Sequence, residues 1–258
     1  MVRISERSHW DRFWERDRNL SEIYDNDDRI RTEVCRRMEP AGLLTLEVGA
    51  ATARDSVALA EAGAVPVALD YSHAALKLAR ESASQKDRTL LLVCGDANAL
   101  PFKSDAFDLV FHQGVMEHFH DPDRMADECA RVTKPGGSVL VDVPQTFHIY
   151  TVMKKLLIAL NAWFAGWETQ YSSAELKKYL IERGLEPWAE YSRYFAPSLG
   201  YRVLREILMK TGIKLPMKPV IIPPVHRLRG RIRAQVEDSR LGQLTGVIIG
   251  VFARKPAE

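Results

Sequence analysis

A chain of 258 residues, 46% hydrophobic and 27% charged, has the material for one large soluble domain, or one domain with a modest addition, and contains no internal repeat or low-complexity segment. Its three cysteines (Cys35, Cys94 and Cys129) are far apart and in no CxxC pair, which argues against a disulfide scaffold or zinc knuckle and for reduced thiols in a cytoplasmic setting. The net charge of +2 hides an asymmetry: residues 1–150 hold 18 Lys/Arg against 25 Asp/Glu, and residues 151–258 hold 18 against 9, so the first half suits a cationic ligand and the second an anionic substrate or surface.

The N-terminus is charged from Arg3 onward and has no signal-peptide pattern. Residues 7–38 read as helical, with Trp10, Trp14 and Tyr24 either stapling that helix to the core or forming part of a lid. From residue 43 short apolar strands alternate with helices: strands over 43–48, 65–70, 90–94, 107–112 and 138–143, helices over 54–62, 73–84 and 121–132. This order implies right-handed crossovers and a parallel sheet covered on both faces. "TKPGGS" (Thr133 to Ser138) reads as a turn into the fifth strand. Beyond Pro144 an apolar helix over 149–165 is expected. It is followed by a helix capped by the Ser172/Glu175 box and closed at Gly184. The longest apolar run, 156–167, is broken by Asn161 and falls short of the ~20 residues of a membrane span. Two last strands fall at 185–195 and 247–254, with an insertion at about 198–243 holding a helix, a Pro-rich turn and a basic run.

The loop Glu47-Val48-Gly49-Ala50-Ala51-Thr52-Ala53-Arg54 joins the first strand to its helix with a single glycine. Read as the dinucleotide pattern G-x-G-x-x-G, with Asp70 at ribose distance, it places Arg54 where helix and strand pack too closely for that side chain. NAD is a poor fit. Read as G-x-G-x-G, the three positions are Gly49, Ala51 and Ala53. A ligand without phosphates does not require backbone approach at the second glycine. Alanine is tolerable there while φ stays negative, as is expected for Ala51 and Ala53.

Four segments, "LEVGAATARDS", "ALDYS", "GDANALPFKSDAFDLVFHQGVMEHF" and "RVTKPGGSVLVDV", then follow in order over roughly 43–145. In them the chain resembles class I S-adenosylmethionine-dependent methyltransferases of the type 11 group, which includes ubiquinone/menaquinone-type enzymes. The departure is Ala51 and Ala53 where that family usually carries glycine. The resemblance implies a Rossmann-like, doubly wound, seven-stranded and mostly parallel α/β sheet. It would comprise a helical cap (1–40), a cofactor-binding core (41–145) and a C-terminal part (146–258) that completes the sheet.

The resemblance also implies S-adenosyl-L-methionine as cofactor. Glu47 would orient the loop around the methionyl group, and Gly49 and Ala51 would bring backbone against the cofactor. Asp70, with Tyr71 beside it, would accept from both ribose hydroxyls. Asp96 and Ala97 would meet the adenine, and Gln113 and Gly114 the amino-acid end. Glu117 and His118 in "GVMEHF" are the catalytic candidates for an acceptor that arrives protonated; the alternative is that they cap or pack the following helix. His112, His118, His120 and Asp121 lack the spacing of a zinc helix, so no metal is expected.

The acceptor expected is a small, partly apolar molecule held under a lid of residues 146–170 and 198–243 together with the N-terminal helix. Tyr150, Phe164, Trp167, Tyr194 and Tyr201 would line its pocket. A nucleic-acid substrate would suit the basic second half, but "HQGV" stands where exocyclic-amine enzymes carry D/N-P-P-Y/F. A non-catalytic cofactor-binding scaffold is the third reading. The alternating arginines Arg227, Arg229, Arg231 and Arg233 read either as a solvated face or as contacts with an anionic substrate or a lipid surface, and the apolar stretch carrying Lys154 and Lys155 as core, substrate-pocket wall or interfacial helix. The oligomeric state is left open.

Overall fold

The computed structural model describes residues 7–15, 28–160, 168–194, 199–216, 223–237 and 239–257. Among the described residues two helices, α1 (Arg7–Trp14) and α2 (Arg29–Arg37), precede the sheet; Tyr24 and the rest of the expected 7–38 helix between them lie outside the described residues. Then come β1 (Leu44–Val48), α3 (Arg54–Glu61), β2 (Val65–Asp70), α4 (His73–Ser84), β3 (Leu91–Cys94), β4 (Phe107–Gln113), α5 (Asp123–Val132) and β5 (Thr133–Pro144). The second half adds α6 (Ile149–Ala159), α7 (Ser173–Ile181), β6 (Glu186–Arg193), α8 (Leu199–Lys210), α9 (Pro223–Glu237), α10 (Arg240–Thr245) and β7 (Ile248–Arg254). The expected basic run is therefore a helix. Arginine is a good helix former, and two prolines open α9, where their missing N–H groups cost nothing.

The seven strands lie in the order β3-β2-β1-β4-β5-β7-β6, with β7 antiparallel to both neighbours. The central strands are apolar along their whole length because helices cover both faces. On one face Leu46, Leu69, Val110 and Val141 pack with Met125 and Cys129 of α5 and Leu176 and Leu180 of α7. On the other, Leu109, Phe111, Leu140 and Phe252 pack with Ile30 and Val34 of α2 and Leu59 of α3. The "TKPGGS" segment is an excursion inside β5: Thr133 pairs with Phe107, and pairing resumes at Ser138 with Leu109. Gly137 permits it, since a Cβ there would stand 2.9 Å from the Lys134 carbonyl oxygen. The capping box of Ser172 with Glu175 closes the start of α7 as expected.

A buried ionic contact ties α2 to the sheet. The Arg29 guanidinium donates to both carboxylate oxygens of Asp142, at 2.9 and 2.8 Å, and the Tyr191 hydroxyl donates to the same carboxylate at 2.6 Å. Asp142 is 1% exposed. Removing the arginine strands a buried charge, which typically costs about 3–5 kcal/mol. Arg29→Ala is accordingly expected to lower the urea midpoint strongly, and an unchanged midpoint would show that α2 is not anchored here.

Candidate active site

Strand order reverses between β1 and β4, and in open α/β sheets that switch point opens a crevice beyond the carboxyl ends of the strands. The sequence-selected residues gather there from four neighbouring strands: Glu47 near the end of β1 and Gly49 after it, Asp70 at the end of β2 and Tyr71 after it, Asp96 and Ala97 after β3, and Gln113 at the end of β4 with Gly114 after it. Glu117 and His118 follow in a short 3-10 turn, Met116–His118.

The loop after β1 is held tightly. Ala50 donates its N–H to the Leu69 carbonyl at 2.9 Å, and Ala53 donates to Ala50 at 2.7 Å. Gly49 has φ +69°, and a Cβ on it would lie 2.6 Å from a Val115 methyl. Only glycine fits there. Glu47 points back into the loop, accepting from the Ser56 N–H at 3.0 Å and its hydroxyl at 2.5 Å. Burial pushes the Glu47 carboxyl up to about 8, Asp55 adds to this, and the Ser56 donors oppose it.

The alanines correct the sequence reading. Ala51 and Ala53 have φ of 50° and 51°, in the left-handed region rather than at negative φ. The reason is geometric: Ala51 must aim its N–H at Asp70 Oδ2, at 2.9 Å, while Ala53 turns the chain into α3. The loop keeps the path of its glycine-bearing form and tolerates two strained methyl groups.

Asp70 is buried, and each of its carboxyl oxygens takes one backbone N–H, Ala51 on Oδ2 and Ser72 on Oδ1, both at 2.9 Å. Burial raises its pKa against these donors. Asp96 is exposed, its Oδ1 accepting from the Asn98 N–H at 2.9 Å. Over this edge lies α1. Phe13 and Trp14 pack with Ala75, Ala51 and Leu78, the Asp11 carboxylate accepts from the Ser72 hydroxyl at 2.5 Å, and the Trp10 ring meets the His118 ring edge-on at 5.0 Å.

Sequence reasoning did not find the surroundings of Glu117. Lys154 of α6 and Glu168 form an ion pair at 2.5 Å with side chains 2% and 7% exposed, and the Thr169 N–H donates to the Glu117 carbonyl at 2.8 Å. The only hint was a lysine inside an otherwise apolar run. Glu117 is buried, and its Oε2 has no hydrogen-bond partner among the described residues. Burial, then the Glu168 charge, pushes its carboxyl up to about 8. Of the neighbouring histidines, His112 is buried within β4 and burial lowers it to about 4, while His120 is exposed.

Of the aromatic residues expected around an acceptor, Tyr194 lies near the start of α6, its ring 6.4 Å from that of His148, two residues before Tyr150. Phe164 and Trp167 lie outside the described residues. Tyr201 donates its hydroxyl to the Pro216 carbonyl within the insertion, and the Tyr194 hydroxyl pairs with Thr245. The aromatic side chain touching His118 comes from α1 instead, because that helix crosses the carboxyl ends of β1 and β2.

Residues 46–141 match the family described as a methyltransferase domain. The match lies on the segment that carries the strand-end residues and covers less than half of the chain. The chain is 37% identical over 117 residues to a demethylmenaquinone methyltransferase of Clavibacter sepedonicus, covering 45% of this chain and 47% of the relative. It is 30% identical over 168 residues to a ubiquinone biosynthesis O-methyltransferase of Coxiella burnetii, covering 63% and 65%. The chain thus spans about half the length of the first relative and under two thirds of the second. A putative sarcosine dimethylglycine methyltransferase from Galdieria sulphuraria shares the fold with a TM-score of 0.62, at 18% identity over 90% of this chain and 85% of its own.

Two outcomes follow for the matched segment. Left-handed backbone costs a non-glycine residue roughly 1–2 kcal/mol, offset in part by the chain entropy of glycine. Ala51→Gly and Ala53→Gly are each expected to raise thermal stability by about 1 kcal/mol, measured by calorimetry; destabilisation would refute the left-handed geometry. The second concerns Glu117, whose folded carboxyl holds its proton up to about 8, against an ordinary value of 4.5. Its contribution to stability is fully present below 4.5 and is lost as the pH rises through about 8. Glu117→Gln removes this titration, so its urea midpoint should fall less than wild type over that window. Parallel profiles would mean that Glu117 ionises normally.

Proposed function

We propose that the chain transfers a methyl group from S-adenosyl-L-methionine to a small, partly apolar acceptor. The observation that carries the reading is the Asp70 carboxylate at the switch point. It is buried and oriented by backbone N–H groups, Ala51 on one oxygen and Ser72 on the other, in a position that suits acceptance from ribose hydroxyls. Gly49, held against Val115, fits a loop that must carry backbone close to a ligand. When bound, the cofactor supplies an electrophilic methyl group on sulfonium sulfur. Asp70 and Tyr71 would hold its ribose, Asp96 and Ala97 its adenine, and Gly49, Ala51, Gln113 and Gly114 its amino-acid end, with Glu47 fixing the loop. The names of the two relatives, one acting on demethylmenaquinone and one in ubiquinone biosynthesis, support an acceptor of small, partly apolar type.

In-line methyl transfer asks the protein chiefly for orientation and exclusion of water. The α1 aromatic residues over the strand ends serve the second purpose. Burial and the Glu168 charge favour the protonated form of Glu117, which counts against it as the base. His118, half-buried against Trp10, is the group left to take a proton from an acceptor that arrives protonated.

Isothermal titration tests the reading. S-adenosylmethionine and its demethylated product are expected to bind, and NAD(H) is not. Asp70→Ala loses charge-assisted hydrogen bonds worth roughly 1.5–3 kcal/mol, weakening cofactor binding about tenfold or more. Binding of nicotinamide cofactor without the sulfonium compound would overturn the proposal.

A further inference from the structure

Helix α1 touches both halves of the crevice. At 100° per residue its Trp10, Asp11, Phe13 and Trp14 fall within about 160° of arc, a single face. That face is turned to the sheet. Phe13 and Trp14 are buried, packed with Ala75 of α4 and flanked by Ala51 of the β1 loop and by Leu78.

The polar contact of this face runs to Asp70. The Asp11 carboxylate accepts from the Ser72 hydroxyl at 2.5 Å, and the Ser72 N–H donates to Asp70 Oδ1 at 2.9 Å. A serine hydroxyl has one proton and spare lone pairs. Ser72 gives the proton to Asp11 and uses its oxygen to cap α4, accepting from the Ala75 N–H at 3.3 Å. One buried serine therefore joins α1, the start of α4 and Asp70. Burial raises the Asp70 carboxyl and the Asp11 charge adds to this, so the two carboxylates stand within electrostatic reach.

Trp10, one residue before Asp11, meets the His118 ring with centroids 5.0 Å apart and planes at 72°. Phe13 braces the indole from within the helix, at 5.6 Å and 71°. Such edge-to-face contacts fix the relative direction of two rings. His118 ends a 3-10 turn of three residues, a conformation with weaker backbone hydrogen bonds than an α-helix. The turn is joined to the chain beyond α6 by the Thr169 N–H on the Glu117 carbonyl, whereas the imidazole of His118 is met by α1.

We propose that Trp10 is a positioning residue for the His118 imidazole, and that the chain Asp11–Ser72–Asp70 ties its placement to the cofactor's ribose. Trp10 and Asp11 are adjacent on one helix, so a change at Asp11 is carried to Trp10. Ribose hydroxyls on Asp70 bear on the same Ser72 that holds Asp11. A filled cofactor site thereby sets the ring at the acceptor side. The chemical consequence rests on the reading of His118 as the group that takes a proton; the contacts themselves do not.

The full chain labelled with 13C-histidine tests this by the seven imidazole Cε1–H resonances, with His118 assigned by its loss in His118→Gln. Without ligand, Trp10→Ala is expected to shift the His118 resonance and to leave those of the exposed His73 and His120 in place, which also shows that the sheet stays folded. Trp10→Phe keeps a ring there and should shift it less. Calorimetry with S-adenosylhomocysteine reads the coupling. Asp11→Ala and Trp10→Ala should each weaken binding about fivefold or more. Together they should cost little more than one alone, because both release the same helix. An unmoved His118 resonance in Trp10→Ala would overturn the positioning role. Unchanged affinity in Asp11→Ala, or fully additive losses, would overturn the coupling. Failure of wild type to bind S-adenosylhomocysteine would overturn the methyl-transfer reading and the coupling with it, while the ligand-free comparison would still decide what places His118.

Discussion

Carboxyl groups crowd the carboxyl ends of the central strands, and the low dielectric there does not accept a bare charge. Each of the four is settled differently. Asp142 is paired with the Arg29 guanidinium lying along it, and the Tyr191 hydroxyl also donates to it. Asp70 is held by two backbone N–H groups, which forces Ala51 into a strained conformation. Glu47 and Glu117 are pushed up to about 8, the first with Ser56 as donor and the second with an oxygen unpartnered among the described residues. The fold of the edge follows from these solutions. α2 docks where Asp142 needs a cation, the β1 loop bends where Asp70 needs donors, and α6 brings Lys154 where Glu168 lies beside Glu117.

The two ends of the edge therefore have different chemical characters. Around Asp70 the groups are fixed, and strain in the loop is held by packing of Ala53 and Gly49 against their neighbours. Such local strain concentrates at functional sites, where the surrounding structure over-determines the backbone. Around Glu117 a polar cluster sits beneath a helix whose outer surface is apolar. A helix with its polar groups inward and its apolar groups outward gains nothing from water. The Lys154–Glu168 pair and the Thr151 hydrogen bond join its inner face to the domain.

Much of the sheet was legible in the chain because its signals are local. The apolar runs at β1, β2, β4 and β5 alternate with helix-period segments, and the Ser172/Glu175 box and Gly184 frame α7. The gathering of Glu47, Gly49, Asp70, Asp96, Gln113 and Glu117 at one edge also follows from the sequence, since each stands at or shortly after the end of a strand and parallel strands put their ends together. The sign of φ at Ala51 and Ala53 was misread. A residue-by-residue view treats alanine as a sign of ordinary backbone, whereas here the demand of Asp70 for an N–H outweighs the preference of alanine.

What the sequence determined by itself was the order of elements, the parallel sheet and the strand-end residues, because hydrophobic period and turn chemistry act over a few neighbours. What only the tertiary structure decided was which distant groups meet. Arg29 and Asp142 are 113 residues apart. Trp10 reaches His118, and Lys154 turns inward while Val152 and Leu156 turn outward. No local pattern encodes those pairings, because they follow from how buried charge is neutralised once the helices have packed against the sheet.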